Sequence, residues 1–238
     1  MSPLDLLYLQ NMCRIICIFI IAIFCLTISC TKNIEGCTDP SATNFNSESN
    51  LDDGVCEYIE IGANYQGGVI FYIDSTGQHG LIASKTHIPS NYGPNKFSWC
   101  DYYGEILGAD STSIGSGMQN TNDIIDGCLS YANYPWTNMK NAILSYNENI
   151  TIGHSGVFDD WYIPSLDEFV LMYEILGNVD EMNFPIATST GGYFGYWTST
   201  EYNEERAIEI RTWPTFPNID ISYERKDAIN LIRPIRSF

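Results

Sequence analysis

The densest set of groups able to move protons lies in FDDWYIPSLDEF, Phe158 to Phe169, where Asp159, Asp160, Asp167 and Glu168 surround a Trp, a Tyr and a Pro. Paired carboxylates in opposed environments are what glycoside hydrolysis requires, but the same residues can also open a helix. The local order favours the helix. Pro164 disfavours helix before it, Ser165 is a good N-cap, and Glu168 three residues on completes a capping box. Leu166, Phe169, Val170, Tyr173 and Leu176 then form one apolar stripe, and Gly177 ends the segment. Asp167 and Glu168 fall in the first turn, where the helix dipole favours each by roughly 0.3–1 kcal/mol. The stretch reads as scaffold.

Other chemistry is sparse. His79, His87 and His154 lack the H-E-x-x-H spacing of a metal site, and GHSGV fails the G-x-S-x-G nucleophile elbow because Val157 stands where the last Gly should be. No residue is assigned a catalytic role. Ligand binding by aromatic rings is the better reading: in RTWPTFPN, Trp213 and Phe216 are stiffened by Pro214 and Pro217, and YANYPW presents Tyr134 and Trp136. The same rings could instead cover the core. In GCTDPSATNFNSESNLDDGVCEY, Asp39, Asn44, Asn46, Asp52 and Asp53 are hard oxygen donors that could coordinate Ca²⁺, but the EF-hand spacing is absent and a plain knot of Asx turns is the favoured reading.

The elements that must hold these groups begin behind an export signal. From Ile15 to Ile28 the chain reads IICIFIIAIFCLTI, shorter than the roughly 20 residues of a membrane span but suited to a signal-peptide core. Met12-Cys13-Arg14 gives a compact basic start and is read as the point where translation begins. LTISC resembles a lipobox, which makes Cys30 the acylated N-terminus of the mature protein and places it in the cell envelope, at the outer membrane or cell surface. Residues 1–29 are then signal and 30–35 a tether. Cys37, Cys56, Cys100 and Cys128 remain for two disulfides; three pairings are possible, and local organisation favours Cys37 with Cys56 and Cys100 with Cys128.

With 11 Lys and Arg against 29 Asp and Glu, the net charge is −18, which disfavours nucleic acid. Arg225 and Lys226 are expected to soften the acidic surface locally. The 238 residues suffice for one substantial domain with small appendages: a disulfide-closed module at 36–58 and a domain at 61–238. GGVIFYID and GLIAS predict a β-hairpin. Met118, Thr121, Ile125, Cys128 and Ala132 recur at helical spacing and point Cys128 inward, and a second helix is expected over Asn138 to Tyr146. Strands are predicted within Tyr193–Tyr202, Arg206–Trp213, Asn218–Tyr223 and Ile229–Phe238, with the first and last strands of the domain paired. A hairpin, then helices, then strands argues α+β.

In that order, QGGVIFYID, GQHGLIAS, DWYIPSLDEF, YWTSTEY and LIRPIRSF resemble a bacterial domain of unassigned function that also occurs at the C-terminus of a collagen-like surface adhesin. That domain is similar to the C-type-lectin-like fold shared with formylglycine-generating enzymes. The resemblance implies a mixed fold of antiparallel strands with two or three helices, and gives Trp161, Ile163, Pro164, Ser165 and Glu168 the duty of opening a core helix. The segment from Gly36 to Tyr58 resembles modules of Bacteroidetes surface and secreted proteins. Together these imply a lipid-anchored, non-catalytic binding or adhesion module for a neutral glycan or a protein partner. The alternatives are an envelope assembly component and an enzyme of the formylglycine-generating type.

Overall fold

The computed structural model describes residues 14, 32–89, 96–101, 104–129, 138–148, 158–182, 184, 194–212 and 218–238. They divide into two compact units, one of 32–40 with 44–56, the other of 41–43 with 57–238. No helix among them is long and apolar enough to cross a membrane.

The smaller unit is tied by the Cys37–Cys56 disulfide, 19 residues apart. Its remaining order is local. Asp52 Oδ1 accepts from the Gly54 amide, Asp53 Oδ1 from Val55 and Asn46 Oδ1 from Glu48, each at 3.0 Å, the pattern of Asx turns. Asn44 Nδ2 donates to the Val55 carbonyl at 2.7 Å.

The larger unit is α+β, with three antiparallel sheets and three α-helices among the described residues. Strands β1 (Asn64–Tyr65), β2 (Gly68–Ile73), β3 (Gly80–Ala83) and β9 (Ile235–Ser237) form one sheet in that order. β4 (Phe97–Ser98) pairs with β8 (Ile229–Asn230), and β5 (Phe194–Glu201), β6 (Arg206–Thr212) and β7 (Ile219–Arg225) form a meander. The last strand pairs with the second strand of the hairpin and not with the first, because β2 already lies between β1 and β3. The two ends still meet, through the Tyr65 and Phe238 rings at 5.2 Å.

β2 reads as an unbroken apolar run because both its faces are buried. Val69 and Phe71 enter one core cluster with Phe169, Met172 and Ile235, whereas Ile70 enters a second with Trp99, Ile124 and Trp161. Tyr196 and Trp197 on β5 split between the same clusters. Trp197 Nε1 donates to the Phe97 carbonyl at 2.7 Å and Trp99 Nε1 to the Thr198 carbonyl at 2.9 Å, so each indole bonds the segment that carries the other.

Helix α1 (Gly117–Gly127) departs from the expected stripe. Its buried residues are Gly117, Asn120, Thr121 and Ile124, whereas Met118 is exposed and Cys128 lies one residue beyond the end. The polar residues win the inner face because they have partners there: Asn120 Nδ2 donates to the Ser111 carbonyl at 2.7 Å, and Thr121 Oγ1 to Gly117 at 2.7 Å. Cys128 is buried through its disulfide to Cys100, and Ala132 lies outside the described residues. Helix α2 spans Met139–Glu148 and α3 spans Leu166–Leu176.

Candidate functional site

The four carboxylates of the Phe158–Phe169 stretch are dispersed by the fold. Ser165 caps α3, its hydroxyl accepting from the Glu168 amide while Glu168 Oε2 accepts from the Ser165 amide at 2.8 Å. Glu168 is fully buried, and its Oε1 also accepts from the Gly115 amide at 2.9 Å. The start of α1 carries no acidic residue and no side-chain cap, so this one carboxylate serves the N-termini of two helices. A Cβ on Gly117 would run into it, which explains the glycine at the head of α1. Burial pushes the Glu168 carboxyl up, and the Ser165 and Gly115 amides pull it back. Asp160 forms a bidentate pair with Arg236 at 2.6 and 2.7 Å. Asp159 and Asp167 are exposed. Nothing in this set places two carboxylates across a shared substrate position.

Buried charge is concentrated elsewhere. Lys226, expected at the surface, is wholly buried: Nζ pairs with Glu201, donates to the Gly104 carbonyl at 2.6 Å and lies 5.1 Å from the Trp99 ring centroid. Glu201 also accepts from the Ile106 amide at 3.0 and 3.1 Å. Burial pushes the Glu201 carboxyl up, opposed by Lys226. Arg225 is neutralised by Asp227 at 2.8 Å. Neither residue softens the acidic surface.

Among the described residues, two open clefts lie on the larger unit. The first, about 430 Å³, is lined by Tyr72, Asp74, His79, Leu81, Ile114 and Phe238 among others. The Asp74 carboxylate is held by the Thr76 hydroxyl at 2.6 Å and its amide at 2.9 Å, and these bonds keep its pKa below the usual value. What it offers a ligand is chiefly apolar. The second, about 360 Å³, gathers Asn64, Tyr65, Gln66, Lys85 and Phe158 around Gly67 and Gly68. Gln66 is the one non-glycine residue with positive φ among those described, at 42°. Arg236 holds it there, donating to Gln66 Oε1 at 2.7 Å while stacking 4.2 Å over the Phe158 ring. Two rings, two amides and an ammonium thus sit on a rigid base. Composition hid this set, although Gln66-Gly67-Gly68 behind Tyr65 is a short-range signal of close backbone approach.

Among the residues assigned roles from sequence, Cys30, Trp213, Phe216, Trp136 and Tyr134 lie outside the described residues, as do His154 and the apolar run from Ile15 to Ile28. Asp39, Asn44, Asn46, Asp52 and Asp53 belong to the smaller unit, and Asn44, Asn46, Asp52 and Asp53 make the bonds given above. Among the described residues no group of three or more His, Cys, Asp or Glu is disposed to hold a metal ion. His79 is exposed in the β2–β3 turn, and His87 is half-buried, its pKa lowered by burial and then by the charge of Arg233.

No family model and no curated protein matches the chain. Among solved structures, a fimbrial protein from Bacteroides ovatus is similar with a TM-score of 0.47 at 14% identity, covering 80% of this chain and 52% of that one. The chain therefore spans about half the length of that neighbour.

Proposed function

We propose that this chain is an exported, lipid-anchored, non-catalytic binding or adhesion module whose larger unit has the C-type-lectin-like fold and takes a neutral glycan. The observation that carries the binding reading is the cleft of about 360 Å³ at Tyr65, Gln66 and Phe158. Aromatic faces accept the C–H faces of a sugar ring, and the amides of Asn64 and Gln66 match its hydroxyls. A net charge of −18 disfavours sulfated or uronate-rich polymers at long range. The C-type-lectin-like assignment rests on the sequence resemblance and agrees with the Trp161–Glu168 element opening a core helix; the lipid anchor rests on LTISC alone.

The test is a glycan array followed by titration of the hit across a salt series. Tyr65→Ala should weaken binding about tenfold or more, with little dependence on salt. Loss only on changing Trp213, Phe216, Trp136 or Tyr134 would move the site to those residues, and salt-weakened binding to a heparin-like polymer would refute neutrality. Mass spectrometry should find an acylated Cys30 as the first residue; an intact Ile15–Ile28 segment would refute the anchor.

A second reading, an envelope assembly component that binds another protein, is favoured by one feature. β7 ends the order of its sheet, and its Ile221 and Tyr223 are exposed, Tyr223 stacking with exposed Tyr202 at 4.2 Å. A strand of this kind is a template for pairing with a partner strand. A chain that binds no glycan but is captured by an envelope protein, with capture lost on Ile221→Lys, would select this reading.

A further inference from the structure

We infer that Arg233 forms, with Tyr196, an internal binding site for a small monovalent anion of halide or formate size. This is independent of the glycan reading. Arg233 is among the most deeply buried side chains of the larger unit, with no exposed surface. Its Nη1 donates to the Ser84 carbonyl at 3.1 Å, while Nε and Nη2 have no hydrogen-bond partner. The Tyr196 hydroxyl is buried beside the guanidinium, near enough to interact with it, but the two groups do not complete a well-aligned hydrogen bond. Phe184 covers the group, 4.4 Å from the guanidinium carbon and 5.9 Å from the Tyr196 ring.

The chemistry of what is lacking is specific. Ser84 Oγ donates its one proton to the Thr86 carbonyl at 2.9 Å, so in its 2.7 Å contact with Tyr146 the Tyr146 hydroxyl is the donor. The Tyr196 oxygen can accept one guanidinium proton only by turning its own proton away, so the Arg233 Nε–H, the two Nη2 protons and the Tyr196 O–H still outnumber that one acceptor, and the site requires another. It also requires charge. The other buried cations of the unit each have a carboxylate: Lys226 has Glu201 and Arg236 has Asp160. Partly buried Arg211 has Glu209 and Glu224. No described carboxylate pairs with Arg233; the titratable groups acting on it are Tyr196 and Tyr146, both held neutral by burial, and it in turn lowers His87. The internal stretches outside the described residues contain no Asp or Glu. Within the larger unit this leaves Glu181, whose side chain is not among those described. A buried guanidinium without a counter-charge is strongly disfavoured, and a small anion accepting from Nε, Nη2 and the Tyr196 hydroxyl supplies both acceptor and charge.

The test is the thermal melting of the full chain in detergent as sodium chloride replaces sodium gluconate at constant ionic strength, gluconate being too large to enter. A ligand that binds only the folded state raises the transition saturably, and a rise of about 3 °C or more is expected. Tyr196→Phe should shift the half-saturating chloride concentration several-fold upward, and Arg233→Met should abolish the saturable rise. If Arg233→Met does not fold, crystals of the unaltered chain in bromide should show an anomalous peak within hydrogen-bonding reach of Arg233 Nε and Nη2. Indifference of the unaltered chain to chloride, an unchanged response in Arg233→Met, or no bromide at the guanidinium would each overturn the inference. A response that appears only in Glu181→Gln would identify Glu181 as the counter-charge and overturn it as well.

Discussion

The smaller and larger units solve the problem of order in opposite ways. Around Cys37 and Cys56 there is little to bury: Phe45, Leu51 and Val55 remain 41%, 43% and 61% exposed, and the segment depends on one covalent bridge and short side-chain-to-backbone turns. The larger unit has two apolar clusters and uses its polar side chains to join distant segments. Glu168 ties α3 to the head of α1, and Glu201 with Lys226 ties β5 to the residues after β7. The lesson is that a carboxylate-rich sequence can mean two things. In the small unit the carboxylates replace a core by ordering turns, and in the large one they are spent inside it.

The comparison is broken most directly at Trp197. Its ring is wholly buried in a core cluster and its indole N–H satisfies Phe97, so Trp197→Ala should cost about 3–5 kcal/mol in chemical denaturation of the larger unit. A loss below about 1 kcal/mol would mean that the clusters do not carry its stability. Opening the small unit comes next. Cys37→Ser with Cys56→Ser should remove about 3 kcal/mol of chain-entropy stabilisation, read as lost hydrogen-exchange protection at the Gly36 and Asn46 amides. Retained protection there would show that the turns suffice without the bridge.

How much of this could be read from the chain varies with the range of the interaction. The α3 capping box was legible because Ser165, Glu168 and Gly177 act on their own helix. The hairpin was legible from two apolar runs and a turn. The face of α1 was not, since Asn120 is buried by the Ser111 carbonyl and Thr121 by the Ile163 amide, which donates to its hydroxyl at 3.0 Å, and no periodicity reports either partner. Lys226 read as surface charge because its carboxylate is 25 residues away at Glu201. The same holds for the cleft, where Phe158 lies about ninety residues in sequence from Gly67.

Ser165 sharpens the contrast at smaller scale. Its hydroxyl both accepts from the Glu168 amide and donates to the Ser113 carbonyl at 2.9 Å, so it combines a cap with a long-range tie. Ser165→Ala should therefore cost about 1–2 kcal/mol, the upper part of the range for N-caps. A value near zero would show that Glu168 alone holds the helix start.

The smallest expected effect is on pH dependence, and its sign separates buried from exposed carboxylates. Glu168 has its pKa raised by burial above the ordinary value of 4.5, so the folded chain binds this proton more tightly than the unfolded chain does. The stability it contributes is complete below about pH 4.5 and is lost as pH rises through the folded value. Stability should therefore increase as pH is lowered from 7 toward 5. Mutual repulsion among the acidic surface groups gives the same sign, since the net charge of −18 falls toward zero near the sequence pI of 4.2. Salt distinguishes the two, because at 1 M the Debye length is about 3 Å and exposed charges are screened while a buried carboxyl is not. The amides bonded to Glu168 oppose the upward shift, so the gain surviving in 1 M salt should be the smallest of these effects. Glu168→Gln removes the titrating group and should flatten that residual slope. A slope that persists in the variant would place the proton on Glu201 or Glu209, whose carboxyls burial also pushes up.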